Sequence, residues 1–509
     1  MELNAPIPEA CPNLWRRPGT WVAAIGFVLY AILIARSIGT CAGGSDSSGY
    51  FNHARLLASG RVHSPVRAIP GLAPDREPPL LYIPLGFRPA GDGDEMAPTY
   101  PAGLPLLIAA AAPLAGWNRA GDLVIGAQSL FGLLLVFALG RSFGLEPGWA
   151  LLGTAIIAAS PLYLSYSVQA MSDMPALVWT TAAVLAAWRS SRAQAGTPSG
   201  IWALAAGAGF ALAVLIRPTN VLALVPVLIA LGLQFRRLFF LVLGGLPGGV
   251  FFVLHSLAAY GHPLTTGYGD LSSLFSGSVV AETLVHYLRW LPALFTPIIL
   301  LVAGLPWVGG AARRPAAITG SWALAYLAFY CCYRPTHETW WYLRFILPAS
   351  PALVIGGLLV ARRWAGVWAP APWGSTRSGA VFACVLAAIL VYDRYWCRKL
   401  DALSIGHSDA VYPMTAGWLR QHVPKDAVIV AMQHSGAIFY YTDFTIVRWD
   451  QIEGPVARQV IEASAAAHRP VYAALFPWEF DDALRKHLPG AWSRVGEVRD
   501  TTIWRLDGS

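Results

Sequence analysis

Two carboxylates and three guanidinium groups carry most of the chemistry that this sequence offers. Asp46 stands in Gly43-Gly-Ser-Asp46-Ser-Ser-Gly-Tyr50, ahead of a helix-compatible run from Phe51 to Ser59 that ends at Gly60. A carboxylate there can cap a short surface helix by accepting free backbone N–H groups. Backed by a cavity at a water–lipid boundary, it can instead take a proton from an acceptor hydroxyl or amine. Asp173 stands in Met171-Ser-Asp-Met-Pro175, where Pro175 suits the first turn of a helix. The same two readings apply to it, because an acid at the edge of a membrane span is by default a functional candidate. Arg217 interrupts Leu215-Ile-Arg-Pro-Thr219, while Arg334 and Arg344 flank Thr339-Trp-Trp-Tyr-Leu343. Interfacial snorkelling in an aromatic belt would explain such arginines. The alternative is a phosphate or pyrophosphate, which the planar guanidinium fork fits, and this reading is favoured for Arg217 and Arg344.

Other chemistry is poorly supported. His53, His63, His262, His286 and His337 have no ligand spacing such as HExxH, and the loop Asp92-Gly-Asp94-Glu95 lacks the EF-hand pattern. The expectation is structural or solvent-facing histidine, no resident metal and no cofactor. Six cysteines (Cys11, Cys41, Cys331, Cys332, Cys384, Cys397) define neither a disulfide framework nor a zinc site.

The elements that position these residues follow from composition. Of 509 residues 56% are hydrophobic and 13% charged, against roughly 45–50% and 25% in soluble globular proteins. The apolar residues fall in blocks of roughly 15–22 parted by short basic loops, the pattern of a polytopic membrane protein. The net charge of +8 comes from basic pairs beside those blocks rather than from a stripe or tract, so membrane topology explains it and nucleic acid is not an expected partner. The first block, about 21–38, reads as a membrane helix rather than a cleaved signal. Further spans are expected near 121–140, 148–165, 175–188, 201–216, 220–234, 238–259, 291–309, 317–333, 345–361 and 378–396, about eleven in all. A proline-punctuated block at 101–116 is set aside as juxtamembrane or re-entrant. With Arg16 and Arg17 cytoplasmic, the loops at Arg141, Arg189/Arg192, Arg236/Arg237, Arg313/Arg314 and Arg362/Arg363 then all face inward, and a crossing at 101–116 would turn every one of them outward. Asp46, Asp173 and everything after about 397 accordingly belong to the outer face of a cytoplasmic membrane.

The chain divides into a membrane part, 1–399, with an external loop at 39–120, and a tail, 400–509. The tail carries 10 Lys+Arg against 13 Asp+Glu, leaving 26 against 15 for the rest. Its apolar runs Ala427–Ala431, Phe444–Arg448 and Val471–Leu475 alternate with helical patterns near 411–423, 455–468 and 478–488. That alternation predicts a small soluble α/β domain, without a GxGxxG fingerprint or P-loop.

Taken in order, the outer Asp-x-x-x-Tyr helix, Tyr100-Pro-Ala-Gly-Leu-Pro105, Pro161 with Ser172-Asp-Met-Pro175, Leu215-Ile-Arg217-Pro218, Gly261-His-Pro-Leu-Thr-Thr-Gly-Tyr268 and Tyr342-Leu-Arg-Phe-Ile-Leu-Pro348-Ala-Ser-Pro351 resemble the GT-C fold glycosyltransferases. The closer likeness is to the bacterial branch related to protein O-mannosyltransferases and the lipid A aminoarabinose transferase, over about residues 20–396. The resemblance implies an α-helical polytopic enzyme that transfers a hexose or pentose, with inversion, from a polyprenyl-phosphate donor to a lipid, glycan or protein acceptor. Carried over, it makes Asp46 the general base and Asp173 its assistant. Arg217 and Arg344, with Arg334, would hold the leaving phosphate, and Tyr50, Tyr100, Tyr268 and Tyr342 would line the substrate site. A leaving phosphate needs electrostatic stabilisation more than protonation, so a divalent metal is optional. Two departures stand out. Asp46 is followed by Ser47 where many relatives carry a second acid, and the Asp/Glu-x-His-Pro-Pro version of the first loop is missing, which weakens the case for a protein acceptor. The competing readings are a transporter or flippase of a lipid-linked or anionic substrate, and a glycan ligase using a lipid pyrophosphate. An inverted repeat and midplane charges, which a carrier would favour, are not evident.

Overall fold

The computed structural model describes residues 18–72, 79–91, 93–193, 199–368, 376–488 and 490–508. Arg16, Arg17, Cys11 and Asp92 lie outside the described residues. Apolar stretches leave backbone N–H and C=O groups no water to bond, so they close their hydrogen bonds internally as helices. In chain order these are α1 (Pro18–Ser37), α2 (Ser45–Ala58), α3 (Gly103–Ala115), α4 (Ala120–Ser142), α5 (Pro147–Ala159), α6 (Pro161–Tyr166), α7 (Asp173–Arg192), α8 (Ser199–Ile216), α9 (Leu224–Leu231), α10 (Phe235–Tyr260), α11 (Val280–Phe295), α12 (Arg313–Cys331), α13 (Ser350–Trp368) and α14 (Thr376–Lys399). A 3-10 segment, Trp340–Ala349, leads straight into α13.

Five described helical segments are long and apolar enough to cross a membrane, and a sixth crossing results if α11 and the 3-10 segment Pro297–Trp307 form one bent span. Those two are bent by 109° at Thr296, which takes φ 65; Pro297 after it has no N–H to continue the ladder. The block expected at 148–165 is likewise broken, with Ser160 capping a new helix by accepting from the Tyr163 backbone N–H at 3.4 Å. Helix α3, of 13 residues, packs on α2, α4 and α8. At about 1.5 Å per residue it is too short for a bilayer core of about 30 Å. Exposed apolar side chains run along α1 (Val22, Leu29), α10 (Phe239, Val242, Leu254) and α14 (Val381, Val391). Hydrocarbon explains such continuous apolar faces and water does not.

The first external loop carries a three-stranded antiparallel sheet, β1 (Ser64–Pro65), β2 (Phe87–Ala90) and β3 (Glu95–Pro98), in the order β1-β3-β2. After residue 400 the chain folds round a five-stranded mixed sheet. Its strands are β4 (Val428–Val430), β5 (Thr445–Val447), β6 (Val471–Leu475), β7 (Trp492–Val498) and β8 (Thr501–Leu506), in the order β5-β4-β6-β8-β7. Strands β4, β5 and β6 pair in parallel and every residue in them is buried, as their unbroken apolar runs require. The helices are α15 (Ile405–Ser408), α16 (Val411–His422), α17 (Ser435–Tyr441) and α18 (Pro455–Ala466), with a π-helical turn over Asp481–His487. The three strands and three helical patterns read from the sequence are all present; α17 and the β7–β8 hairpin were not foreseen.

Candidate active site

Asp46 is not a cap. Gly44 occupies the cap position of α2, and Asp46 lies one residue inside the first turn. Its Oδ1 accepts a hydrogen bond from the Tyr100 hydroxyl at 2.6 Å, and its Oδ2 accepts one from Arg344 Nη2 at 3.0 Å. The Tyr100 hydroxyl also lies 2.8 Å from Ser45 Oγ. Tyr100 follows β3 after the single residue Thr99, whose N donates to Gly86 O at 2.9 Å, so the small sheet aims the ring at α2. Gly49 makes the approach possible, since a Cβ there would stand 2.4 Å from the Tyr100 ring. Burial, and then the adjacent Asp46 carboxylate, hold the Tyr100 phenol well above its ordinary pKa. It therefore stays protonated and donates.

Nor is α2 a surface helix. Nine of its residues are buried, Tyr50, Asn52 and His53 among them, because α3 packs on it from the membrane side and α17 from the C-terminal unit. His53 Nε2 lies 3.0 Å from His255 Nε2 on α10, and His53 Nδ1 lies 3.1 Å from Tyr100 O. This histidine has a structural place. Among the others expected to be structural or solvent-facing, His63 pairs with Glu95 at 3.0 Å and His337 with Glu282 at 3.3 Å. The described residues contain no group of three or more His, Cys, Asp or Glu side chains that could share a metal ion.

Asp173 opens α7 and Ser172 holds the cap position. The carboxylate is fully buried and lies 2.8 Å from Arg217 Nη1. Beyond this ion pair, neither carboxylate oxygen nor that Nη1 has a side-chain hydrogen-bond partner among the described residues. In apolar surroundings such groups are costly unless something completes them. Arg217 sits in extended backbone between α8 and the 3-10 turn Pro218–Ala223. Pro218 cannot donate to a continuing helix, and the break frees the arginine to turn toward Asp173.

The two ion pairs share a floor. The guanidinium carbons of Arg217 and Arg344 stand 5.2 and 5.3 Å from the centroid of the Phe345 ring, and Tyr330 and Tyr342 stack on the same ring at 5.2 and 6.0 Å. Tyr50 donates to Ser172 Oγ at 2.9 Å and its ring lies 5.0 Å from Tyr100, while Tyr268 meets Tyr100 edge-on at 5.8 Å. Eight residues singled out from the sequence thus meet: Asp46, Asp173, Arg217, Arg344, Tyr50, Tyr100, Tyr268 and Tyr342. Arg334 is apart from these contacts, exposed and without an ion pair among the described residues. Phe345, Tyr330 and Ser172 were missed. Phe345 and Ser172 adjoin Arg344 and Asp173 in sequence, whereas nothing local marks Tyr330.

Such a site can hold an anion between two arginines, beside a carboxylate able to receive a proton. Residues 123–260 match the family model described as dolichyl-phosphate-mannose-protein mannosyltransferase. A search of curated proteins by sequence gives no match. Among solved structures, ArnT from Cupriavidus metallidurans bound to undecaprenyl phosphate superposes with a TM-score of 0.62 at 15% identity, covering 97% of this chain and 99% of that one. The Archaeoglobus fulgidus oligosaccharyltransferase tethered with an acceptor peptide gives 0.53 at 12%, covering 95% and 74%. At these identities the likeness is one of fold.

Proposed function

From a chain with the fold of the GT-C glycosyltransferases, we propose an integral membrane enzyme that transfers one sugar, with inversion, from a polyprenyl-phosphate donor to an acceptor at the outer face of the cytoplasmic membrane. On this reading residues 1–399 form the catalytic membrane part, with about eleven crossings, and 400–509 an extracytoplasmic unit. The observation that carries it is the pairing of Asp46 with Arg344 beside the buried Asp173–Arg217 pair. The donor's phosphodiester would lie between the two guanidiniums, drawing Arg344 away from Asp46 and freeing the carboxylate as a base. The acceptor hydroxyl then gives its proton to Asp46 as its oxygen bonds to the anomeric carbon. The bond from that carbon to the phosphate oxygen breaks on the opposite side, and polyprenyl phosphate leaves as a dianion held by Arg217 and Arg344. Tyr100 orients Asp46. Asp173 holds Arg217 or contacts the sugar, and Tyr50, Tyr268 and Tyr342 line the pocket. A polyprenyl-phosphate partner is also in keeping with the undecaprenyl phosphate bound to the ArnT structure.

The test is turnover of radiolabelled polyprenyl-phosphate hexoses and pentoses by the purified protein in nanodiscs, beside Asp46→Asn. Transfer or slow hydrolysis by the wild type that vanishes in the variant, with donor binding retained, is the expected result. Full activity of Asp46→Asn, or failure of the wild type to bind any such donor, refutes the reading.

A further inference from the structure

The last two turns of α14 carry a feature that transfer chemistry does not use. Arg394, Arg398 and Lys399 are exposed there with Val391 and Tyr395, and the five line one open hollow. Their spacing puts them on one helical face. None of the three cations is in an ion pair among the described residues. Lys399 Nζ rests instead over the Trp396 and Tyr395 rings, at 4.8 and 5.5 Å. Cations at a helix C-terminus are favoured by its dipole only within the last turn, which covers Arg398 and Lys399 but not Arg394.

The rest of α14 defines the surroundings. Val381, Val385, Leu390 and Val391 are exposed apolar side chains, so the helix presents hydrocarbon-compatible surface up to the point where the charges begin. The hollow therefore lies at headgroup depth. It is also on the side of the candidate active site, because the chain leaving α14 brings Gly406 against Gly39 at the end of α1. An aromatic seam links the two places. Trp396 meets Trp290 at 5.9 Å, Trp290 meets His286 at 6.2 Å, and His286 Nε2 lies 3.2 Å from Thr339 O. From there Trp340, Trp341 and Tyr342 follow at 5.9 and 6.4 Å, and Tyr342 stacks on Phe345, the floor beneath Arg344.

We propose that Arg394, Arg398 and Lys399 form a docking site for the phosphate headgroup of an anionic membrane lipid, at the membrane edge of the seam that runs to Arg344. Three cations without an ion pair among the described residues supply the charge complement, the rings of Tyr395 and Trp396 suit the interface, and the apolar face below accepts the acyl chains. The site stands on these contacts alone and does not need the proposed transfer reaction.

The experiment uses the full chain in phosphatidylcholine nanodiscs doped with a photoactivatable phosphatidylglycerol or, separately, with the matching photoactivatable phosphatidylcholine. Adducts are mapped by peptide mass spectrometry. The expected result is phosphatidylglycerol labelling concentrated on the peptide spanning 391–399. It should fall by about tenfold or more in the variant R394Q/R398Q/K399Q and persist in R394K/R398K, which keeps the charge. R236Q/R237Q, altered in the first turn of α10, should leave labelling of that peptide unchanged. All five changed side chains are exposed or half-buried, and a melting temperature equal to wild type verifies that each variant is folded. Equal labelling by the two lipids, or labelling retained in R394Q/R398Q/K399Q, overturns the proposal.

Discussion

Replacing Arg217 by Gln removes the cation in contact with a carboxylate that is wholly inside the protein. Asp173 is fully buried, Arg217 is 11% exposed, and the charges approach to 2.8 Å. At an effective dielectric of about 20, two unit charges at that separation attract by about 6 kcal/mol. Breaking a buried pair by deleting one partner typically costs about 3–5 kcal/mol, because the remaining charge is stranded. Arg344 also acts on Asp173 and recovers part of the loss, so Arg217→Gln should cost about 3 kcal/mol. Arg217→Gln combined with Asp173→Asn leaves no stranded charge and should be closer to wild type than Arg217→Gln alone. Thermal denaturation of the full chain in detergent micelles, followed by tryptophan fluorescence, ranks wild type, Arg217→Gln and the double variant. A double variant that melts as low as Arg217→Gln would refute the reasoning and reduce Arg217 to a packing residue over Phe345.

Tyr100→Phe removes the hydroxyl that fixes Asp46, a hydrogen bond to a charged group worth about 1.5–3 kcal/mol. Turnover should drop at least about tenfold with donor affinity kept, and equal rates would show that the phenol is idle. Gly436→Ala should lower kcat by up to about a hundredfold, since a Cβ there would stand 2.1 Å from Ser48 Oγ and 2.5 Å from Leu85 O and must displace α2; an unchanged kcat contradicts this. Burial pushes the imidazoles of His53 and His434 down to about 3, with the facing His255 adding to the effect at His53. Both are then neutral in the folded chain, whereas the unfolded chain binds their protons below about pH 6.5. Their contribution to stability is complete above that pH and is lost as pH falls toward 3. Melting temperatures should decline below about pH 6.5, less steeply in His434→Gln, and parallel curves would exclude His434 as a source.

The residues of the site were legible because their types are out of place. Aspartates beside apolar blocks and arginines against the charge bias stand out without any structure, and so does the strand–helix alternation after residue 400. Burial and pairing were not legible. Both aspartates stand near helix starts and look like caps, yet Gly44 and Ser172 occupy those positions. Only tertiary contacts across about 298 residues join Asp46 to Arg344. Tyr330 lies inside α12 in a run of aromatic and apolar residues that periodicity alone assigns to packing. The breaks at Ser160 and Thr296 were hidden because hydropathy averages over a proline that backbone geometry does not ignore. Strands β1 to β3, of two to four residues, are too short to leave an alternation.

Helix α2 is made early and finished late. Its neighbour α17 arrives 384 to 385 residues later, where Asn52 Nδ2 donates to Gly436 O at 3.1 Å and Arg55 Nη1 to Tyr440 O at 2.7 Å. Ala42 N donates to the Tyr441 hydroxyl at 3.1 Å, and Leu85 N to Ser435 Oγ at 3.0 Å. A chain released before these residues are synthesised would already have inserted every span yet would hold its Asp46 helix by one side only. A molecule clipped between Lys399 and Ser435 would keep α3 against α2 and lose these four bonds, so an intact membrane part would still carry a loosened Asp46 helix.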